Sequence, residues 1–365
     1  MSDLIEAVDH DDNRKRHADK AVAEYLRIQP FYGDLADVVS RIIRESIASR
    51  EIKIHSVQSR AKSAESFSTK AATPSDQNPE EPKYRNPLQE ITDLAGVRVI
   101  THFLSTLVDI DAMLVDEFEI VEKSNKGTLL IQSDRFGYQS IHYLVRLRAA
   151  RAALPEYHRY AGHIVEVQVR TILQHAWAEI EHDIQYKSST TIPTEIRRRF
   201  VALAGMLEIG DREFQAIDDA NRSLESAAIT KVEAGTLSGV EITPQALKLF
   251  LNKKLGPDGR MSDWSYDWTV RLLKRLGFRD LSEVEKAIEP YDDHKLSMVV
   301  AGSRQGQVNR FEIMLEAALG EQWVARHPWQ DEYWTDRHRT HISKLENAGV
   351  KIGTYKVEHP PGTAR

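Results

Sequence analysis

The chain contains no cysteine. Disulfides, thiolate-held zinc and a cysteine nucleophile are therefore closed to it, which removes several enzyme classes at once. Long apolar runs are missing as well. Nowhere do about eighteen consecutive apolar residues occur, and the opening MSDLIEAVDHDDNRKRHADK has no apolar signal core. The expectation is a cytoplasmic protein with no membrane partner. Nor is there a surplus of positive charge. With Lys+Arg at 49 and Asp+Glu at 55, the formal net charge is −6, which argues against broad, sequence-blind binding to nucleic acid. Any polyanion must be met by a local cluster of cations.

What is present is a chain of 365 residues, 41% hydrophobic and 28% charged, long enough for two domains. Leu35, Val38, Val39, Ile42, Ile43 and Ile47 recur at helical spacing and predict an amphipathic helix over 32–49 with one buried stripe. The acidic DHDD upstream reads as a charged tail. AATPSDQNPEEPKYRNP, residues 71–87, has four prolines and almost no apolar residues, so it reads as an exposed, mobile loop. DLAGVRVITHF, FEIVEK, TLLIQS, SIHYLVRL and HIVEVQV are strand-like, with STLVDIDAMLVDEF a helical insertion between the first two. These runs predict an α+β fold, a mixed and largely antiparallel sheet flanked by helices. A long helical stretch follows from about Thr171 to Ala227, then TKVEAGTLSGVEITP reads as a linker. Residues 1–235 form the first expected domain. Residues 236–365, with five of the six tryptophans, form a second, smaller, mainly helical one.

Four local patterns carry candidate chemistry. In SRAKSAESFSTK, a strand end running into a helix would put Arg60 and Lys62 on one face, and Ser66 and Lys70 one turn apart. The group is either a solvated basic face or a polyphosphate cradle, since Arg offers paired planar donors and Lys a compact charge. In ITDLAGVRV, Asp93 precedes a small-residue turn and a strand bearing Arg98. It is either a cap or a Mg²⁺ ligand, and Glu166 would be the second carboxylate. In RFGYQSIHYLV, alternation sets Tyr138, Ser140 and His142 on one face and Ile141, Tyr143 and Val145 on the other. Tyr138 beside Gly137 is either ordinary sheet packing or a stacking platform for a base. In HIVEVQVRT, the valines Val165, Val167 and Val169 face one way and Glu166, Gln168 and Arg170 the other. His175, Glu179 and His182 share a helix face just beyond, but HExxH is absent and no third ligand can be named for zinc.

In this order, these segments resemble the synthetase domain of the RelA/SpoT-type alarmone synthetases. The resemblance rests on Arg60, Lys62, Ser66 and Lys70, then DLAGVR at 93–98, GYQSIH at 137–142 and EVQVRT at 166–171, and covers roughly residues 30–225. WAEIEHDIQYK, 177–187, looks most like the small single-domain members. The resemblance implies a nucleotidyltransferase-like fold and transfer of pyrophosphate from ATP to the ribose 3′-hydroxyl of GTP or GDP, giving (p)ppGpp and AMP, with Mg²⁺ as cofactor. It implies that Arg60 and Arg98 sandwich the adenine while Lys62, Ser66 and Lys70 hold the ATP phosphates. Asp93 would bind Mg²⁺, Tyr138 would stack on guanine with His142 and Gln168 nearby, and Glu166 would be the base or a second metal ligand.

Three features depart from the family, one being the proline-rich segment between Lys70 and Asp93, which is longer than the family leads one to expect. Many members have an asparagine before the Gly-Tyr pair and a basic residue two places further back, where this chain has Phe136 and Asp134. Arg135, Lys126 and Lys123 are the substitute contacts for the GTP phosphates. The residues upstream are also too few for the HD hydrolase domain of long bifunctional relatives, so no hydrolase is expected. Two other functions stay open: a toxin-like member acting on the 3′ end of tRNA or on an adenine nucleotide, with the C-terminal domain as fused inhibitor or sensor, and an inactive nucleotide-binding regulatory module. Homo-oligomers occur among the small relatives.

Overall fold

The computed structural model describes residues 2–125, 140–187, 194–258 and 261–360. They divide into two compact units, Met1–Asp218 and Asp219–Arg365. Among the described residues, no helix is long and apolar enough to cross a membrane.

The first unit is built on a five-stranded sheet. Its strands are β1 (Ile54–Ala61), β2 (Ala95–Thr101), β3 (Phe118–Asn125), β4 (Ile141–Leu147) and β5 (Val165–Thr171), in the order β1-β2-β5-β4-β3. Among the described residues, β2 and β5 run parallel and the other three pairings are antiparallel. The mixed sheet expected from the β-branched runs is therefore present, and TLLIQS, 128–133, lies outside the described residues. Period-two alternation sorts the faces. Val97, Val99, Val165, Val167, Val169, Tyr143 and Val145 are buried in one core with Leu35, Val39, Ile42 and Ile43 of α1 (Ser2–Ser49) and Ile110, Met113 and Leu114 of α4 (Leu104–Glu117). A half-buried polar set is left on the opposite face.

Around the sheet lie α2 (Ala64–Ala71), α3 (Pro87–Glu90), α5 (Ala149–Ala152), α6 (Ile172–Lys187) and the long α7 (Thr194–Glu233). Two expectations are corrected here. The DHDD segment is not a tail but part of the α1 backbone, which runs unbroken from Ser2 to Ser49. The proline-rich stretch is tied down rather than loose: Lys83 N–H reaches Thr73 O at 2.8 Å, Ser75 N–H reaches Glu81 O at 2.9 Å, and Arg14 and His17 of α1 bond the carbonyls of Pro79 and Tyr84.

The second unit is helical, with α8 (Pro244–Leu255), α9 (Asp263–Leu276), α10 (Leu281–Ile288), α11 (Asp293–Ala301), α12 (Gln307–Leu319), α13 (Glu321–Arg326) and α14 (Glu332–Asn347). Nearly all of α12 is buried, so it serves as the central element. The linker expected at 230–244 is instead part of this unit's core. Ala228, Val232, Leu237, Val240 and Ile242 are buried in this unit's core, and Val240 O accepts from Leu281 N–H. The stretch is spaced like a loop because its apolar residues are few, yet those few are buried in this core.

Candidate active site

The polar sheet face is organised by register. Arg98 of β2 stands opposite Gln168 of β5, and Gln168 opposite His142 of β4. One row along, Arg60, Gly96 and Glu166 are aligned across β1, β2 and β5. Cross-strand partners share a face, so Arg60, Arg98, His142, Glu166 and Gln168 all project to the side away from the valines. Gly96 contributes no side chain to its row, which leaves a gap in the floor between Arg60 and Glu166. A Cβ there would meet nothing closer than 3.9 Å.

Glu166 is held from two sides. His142 Nδ1 lies 2.8 Å from its Oε1, and Gln168 Nε2 donates to its Oε2 at 2.8 Å. Ser140 Oγ, 2.7 Å from His142 Nε2, fixes the far side of the imidazole. A carboxylate anchored through both oxygens has one orientation, which a group that must meet a reacting proton requires.

A second cluster forms where β1 runs into α2. Lys62 Nζ and Lys70 Nζ both reach Asp93 Oδ2, at 2.8 and 3.1 Å. The sequence accounts for this local shape. Ser63 caps α2 by accepting from Ser66 N–H at 3.2 Å, and Ser66 and Lys70 follow one turn apart. Lys62 N–H bonds Leu94 O, while its own carbonyl accepts from Tyr25 Oη at 2.6 Å and Gln29 Nε2 at 2.9 Å. Tyr25 in turn stacks on Phe67 of α2 with ring centroids 4.4 Å apart. Burial first, then the charges of Tyr32 and Asp93, push the Tyr25 hydroxyl up to about 12, so it remains a donor. Tyr25 and Gln29 had no motif to mark them.

The arginines supply the third part. Arg98 pairs with Glu179 of α6 at 2.7 Å, and its Nε is buried without a partner. The buried Nε of Arg170 is likewise unpartnered. Burial, and then the neighbouring Arg60, lower the Arg98 pKa; burial and then Arg98 bring Arg170 down to about 10, so both stay cationic at neutral pH. Two of these three crowded guanidiniums carry an idle buried Nε–H, and the group suits an anion or a flat ring. Glu179, which looked like part of a histidine-flanked face, is the counter-ion of Arg98. The side chain of His182 lies outside the described residues.

The donor set bears on Mg²⁺. Asp93 Oδ1 is buried with no hydrogen-bond partner, while Oδ2 carries the two lysines. An oxygen with free lone pairs beside two lysine ammoniums suits a hard ion held by one or two carboxylates plus phosphate oxygens. Glu166 has no such idle oxygen.

Of the residues singled out for guanine and its phosphates, His142 and Gln168 sit on this face, whereas Tyr138, Arg135 and Lys126 lie outside the described residues. Lys123 does not belong to the set. It stands opposite Tyr143 in the β3–β4 ladder, on the valine side, and its ammonium is held by Asp111 at 2.7 Å.

Residues 59–191 match the family described as a region found in RelA / SpoT proteins. The chain carries a RelA/SpoT region. It is 32% identical over 118 residues to GTP pyrophosphokinase YjbM of Bacillus subtilis (strain 168), covering 31% of this chain and 52% of that protein. It is 30% identical over 111 residues to GTP pyrophosphokinase YwaC of the same organism, covering 30% and 49%. The chain therefore spans about half the length of the curated relatives it matches. A crystal structure of small alarmone synthetase 1 from Bacillus subtilis is 22% identical, with 55% of this chain and 98% of that chain covered, at a TM-score of 0.44. Arg60, Lys62, Lys70, Asp93, Arg98, His142, Glu166, Gln168, Arg170 and Glu179 all fall within the RelA/SpoT region, while Tyr25 and Gln29, which brace it from α1, lie before it.

Proposed function

We propose that this chain is a Mg²⁺-dependent pyrophosphotransferase that moves the β,γ-pyrophosphoryl group of ATP to the 3′-hydroxyl of GDP or GTP. The observation that carries the reading is a lysine pair gathered on Asp93, three residues before Gly96 of β2, together with a Glu166 carboxylate that stands opposite Gly96 and is fixed through both oxygens. Glu166 lies opposite Gly96, three residues along from Asp93, so donor-phosphate and acceptor-hydroxyl chemistry meet at one end of β2 and β5.

In this reading Arg60 and Arg98 stack on the adenine, and Lys62, Ser66 and Lys70 take the triphosphate. Asp93, whose Oδ1 is idle, would hold Mg²⁺, and the ion would supply charge neutralisation for the transferring phosphates. Glu166 receives the 3′-hydroxyl proton as that oxygen bonds to the β-phosphorus and the bond to the α-phosphate oxygen breaks, releasing AMP. Transfer of this kind needs positioning and charge neutralisation more than covalent help, and the cations gathered here provide both. His142 and Gln168 keep the base aimed.

The test is direct: incubate the full chain with ATP labelled in its γ-phosphate and Mg²⁺, offering GDP, GTP, ATP or tRNA in separate reactions. Label on a guanosine nucleotide supports the reading. Label on tRNA or an adenine nucleotide would replace the acceptor, as the departures at Phe136 and Asp134 would then explain, and label on none would leave a nucleotide-binding module.

A further inference from the structure

The second unit holds a cluster unrelated to the sheet face. His338 and His341 are three apart on α14 and so project from one side of it. Both meet Glu316 of α12: His338 Nδ1 lies 2.8 Å from Glu316 Oε1, and His341 Nδ1 lies 3.1 Å from Glu316 Oε2. The three ligand-type atoms lie within 4.8 Å of one another, with Glu316 and His338 buried and His341 partly exposed.

Hydrogen bonding alone does not satisfy this group. The buried indole N–H of Trp323 also points at His338 Nδ1, at 3.1 Å, and His338 Nε2 is buried with no partner. If Nδ1 carries the proton, it serves Glu316, but the Trp323 N–H then faces another N–H and the Nε2 lone pair is bare. If Nε2 carries it, the Nδ1 lone pair faces a carboxylate oxygen at 2.8 Å with no proton between them, and the Nε2 N–H is bare. Protonating both leaves two buried donors idle. Each choice strands a buried polar group, which is costly in a core.

We propose that Glu316, His338 and His341 form a binding site for a borderline divalent transition ion of the Zn²⁺ class. Two neutral imidazoles and one carboxylate are a donor set such ions accept. Bonds of about 2.0–2.1 Å in a tetrahedron set neighbouring ligand atoms about 3.3 Å apart, so the separations of 2.8 Å to Oε1 and 3.1 Å to Oε2 must open slightly while the three ligand atoms, now within 4.8 Å of one another, draw round one centre. With Nε2 protonated, a cation at the centre turns the contact between the Nδ1 lone pair and the carboxylate into two bonds; the Nε2 N–H stays as it is in that tautomer, and the Trp323 N–H gives up its acceptor. The exposed side of His341 leaves the fourth position to water. The ion would clamp α14 to the central α12, a structural role within this unit.

The experiment uses the full chain stripped with chelator. Titration with ZnCl₂ by calorimetry should show one equivalent bound, Zn²⁺ should raise the thermal midpoint, and Co²⁺ should give the visible absorption bands of a tetrahedral site. His341→Ala, at the partly exposed position, should weaken Zn²⁺ binding by at least about tenfold, since even partners outside a coordination shell are worth about 10–100-fold. Glu316→Gln should do the same. Because Glu316 is buried and its replacement could disturb folding, His341→Ala decides if that variant unfolds. Absence of stoichiometric binding to the wild-type chain, or binding unchanged in His341→Ala, would overturn the proposal.

Discussion

His142 and Glu166 face each other across β4 and β5, Nδ1 to Oε1, at 2.8 Å. The contact makes His142 a positioning residue for the proposed base. Glu166→Gln should lower turnover by at least about a hundredfold while the protein stays folded. His142→Phe should lower kcat by up to about a hundredfold, as misplacement of a reacting group by about 1 Å can, and leave ATP binding near wild type. Single-turnover rates together with equilibrium ATP binding separate the two effects. A loss confined to KM would place His142 in acceptor binding instead.

Asp93 is the junction of two lysines and an idle oxygen. Asp93→Asn should cost at least about a hundredfold in turnover and raise the Mg²⁺ concentration needed for half-maximal activity. Lys62→Ala and Lys70→Ala should chiefly raise the KM for ATP, because each removes a proposed phosphate contact and leaves the Asp93 carboxylate in place. Activity of Asp93→Asn within a few-fold of wild type, with unchanged Mg²⁺ dependence, would remove Asp93 from the site.

Much of this face was legible because a strand's period fixes it: EVQVR alone separates the valines from Glu166, Gln168 and Arg170, and Ser63 with the following helix places Ser66 and Lys70. What stayed hidden depends on partners far along the chain. Glu179 sits among histidines at helical spacing, so local pattern points to a metal face; only packing of α6 beside β2 reveals it as the counter-ion of Arg98. Lys123 went the other way, since a bulge between Ile120 and Glu122 sets its register and no spacing rule foretells a bulge. Leu237, Val240 and Ile242 are too sparse among turn-forming residues to show a local period, yet they are buried in a core shared with the helices that follow, where Val240 O accepts from Leu281 N–H.

The gap left by Gly96 should be required for nucleotide binding rather than for folding. Its neighbours leave ordinary room for a Cβ, the nearest atom being 3.9 Å away. Gly96→Val should therefore keep a thermal midpoint close to wild type, while its branched side chain occupies the floor between Arg60 and Glu166 and weakens ATP binding by roughly tenfold or more, the order of a lost stacking contact. Normal ATP affinity in a folded Gly96→Val would show that the nucleotide does not approach this row.

Asp111 offers a test of stability that avoids the site. Its Oδ1 accepts from both Lys123 Nζ and Tyr143 Oη at 2.7 Å. Burial alone would raise its pKa, but these two donors outweigh it and hold the carboxyl below its ordinary value, while burial and then Asp111 push the Tyr143 hydroxyl up. A depressed carboxyl pKa stabilises the fold above the unfolded value of about 3.9, and that contribution is lost as pH falls through the folded value. Asp111→Asn should thus be less stable than wild type by about 1–2 kcal/mol near neutral pH, with the difference shrinking below about pH 4. Denaturant unfolding at pH 7 and pH 3 measures both. A gap that persists at acid pH would assign the loss to packing, not charge.

Truncation bears on how self-sufficient the first unit is. Residues 1–218 contain the sheet, its core and every side chain proposed to contact substrate, while Ala228 and Val232 at the far end of α7 are buried in the second unit's core. A chain ending at Gly235 would carry those two apolar residues without their partners, so a cut after Asp218 is the better one. The 1–218 fragment should fold, and it should bind ATP with the affinity of the full chain. If the second unit is purely structural, specific activity should stay within a few-fold. If it restrains the synthetase, it must bind the inactive state better than the active one, and its removal should raise activity or make expression toxic to the host. Circular dichroism, ATP binding and the acceptor assay on both lengths distinguish these outcomes. A fragment that is soluble and folded, binds ATP and yet transfers nothing would contradict both and make residues 219–365 necessary for the reaction itself.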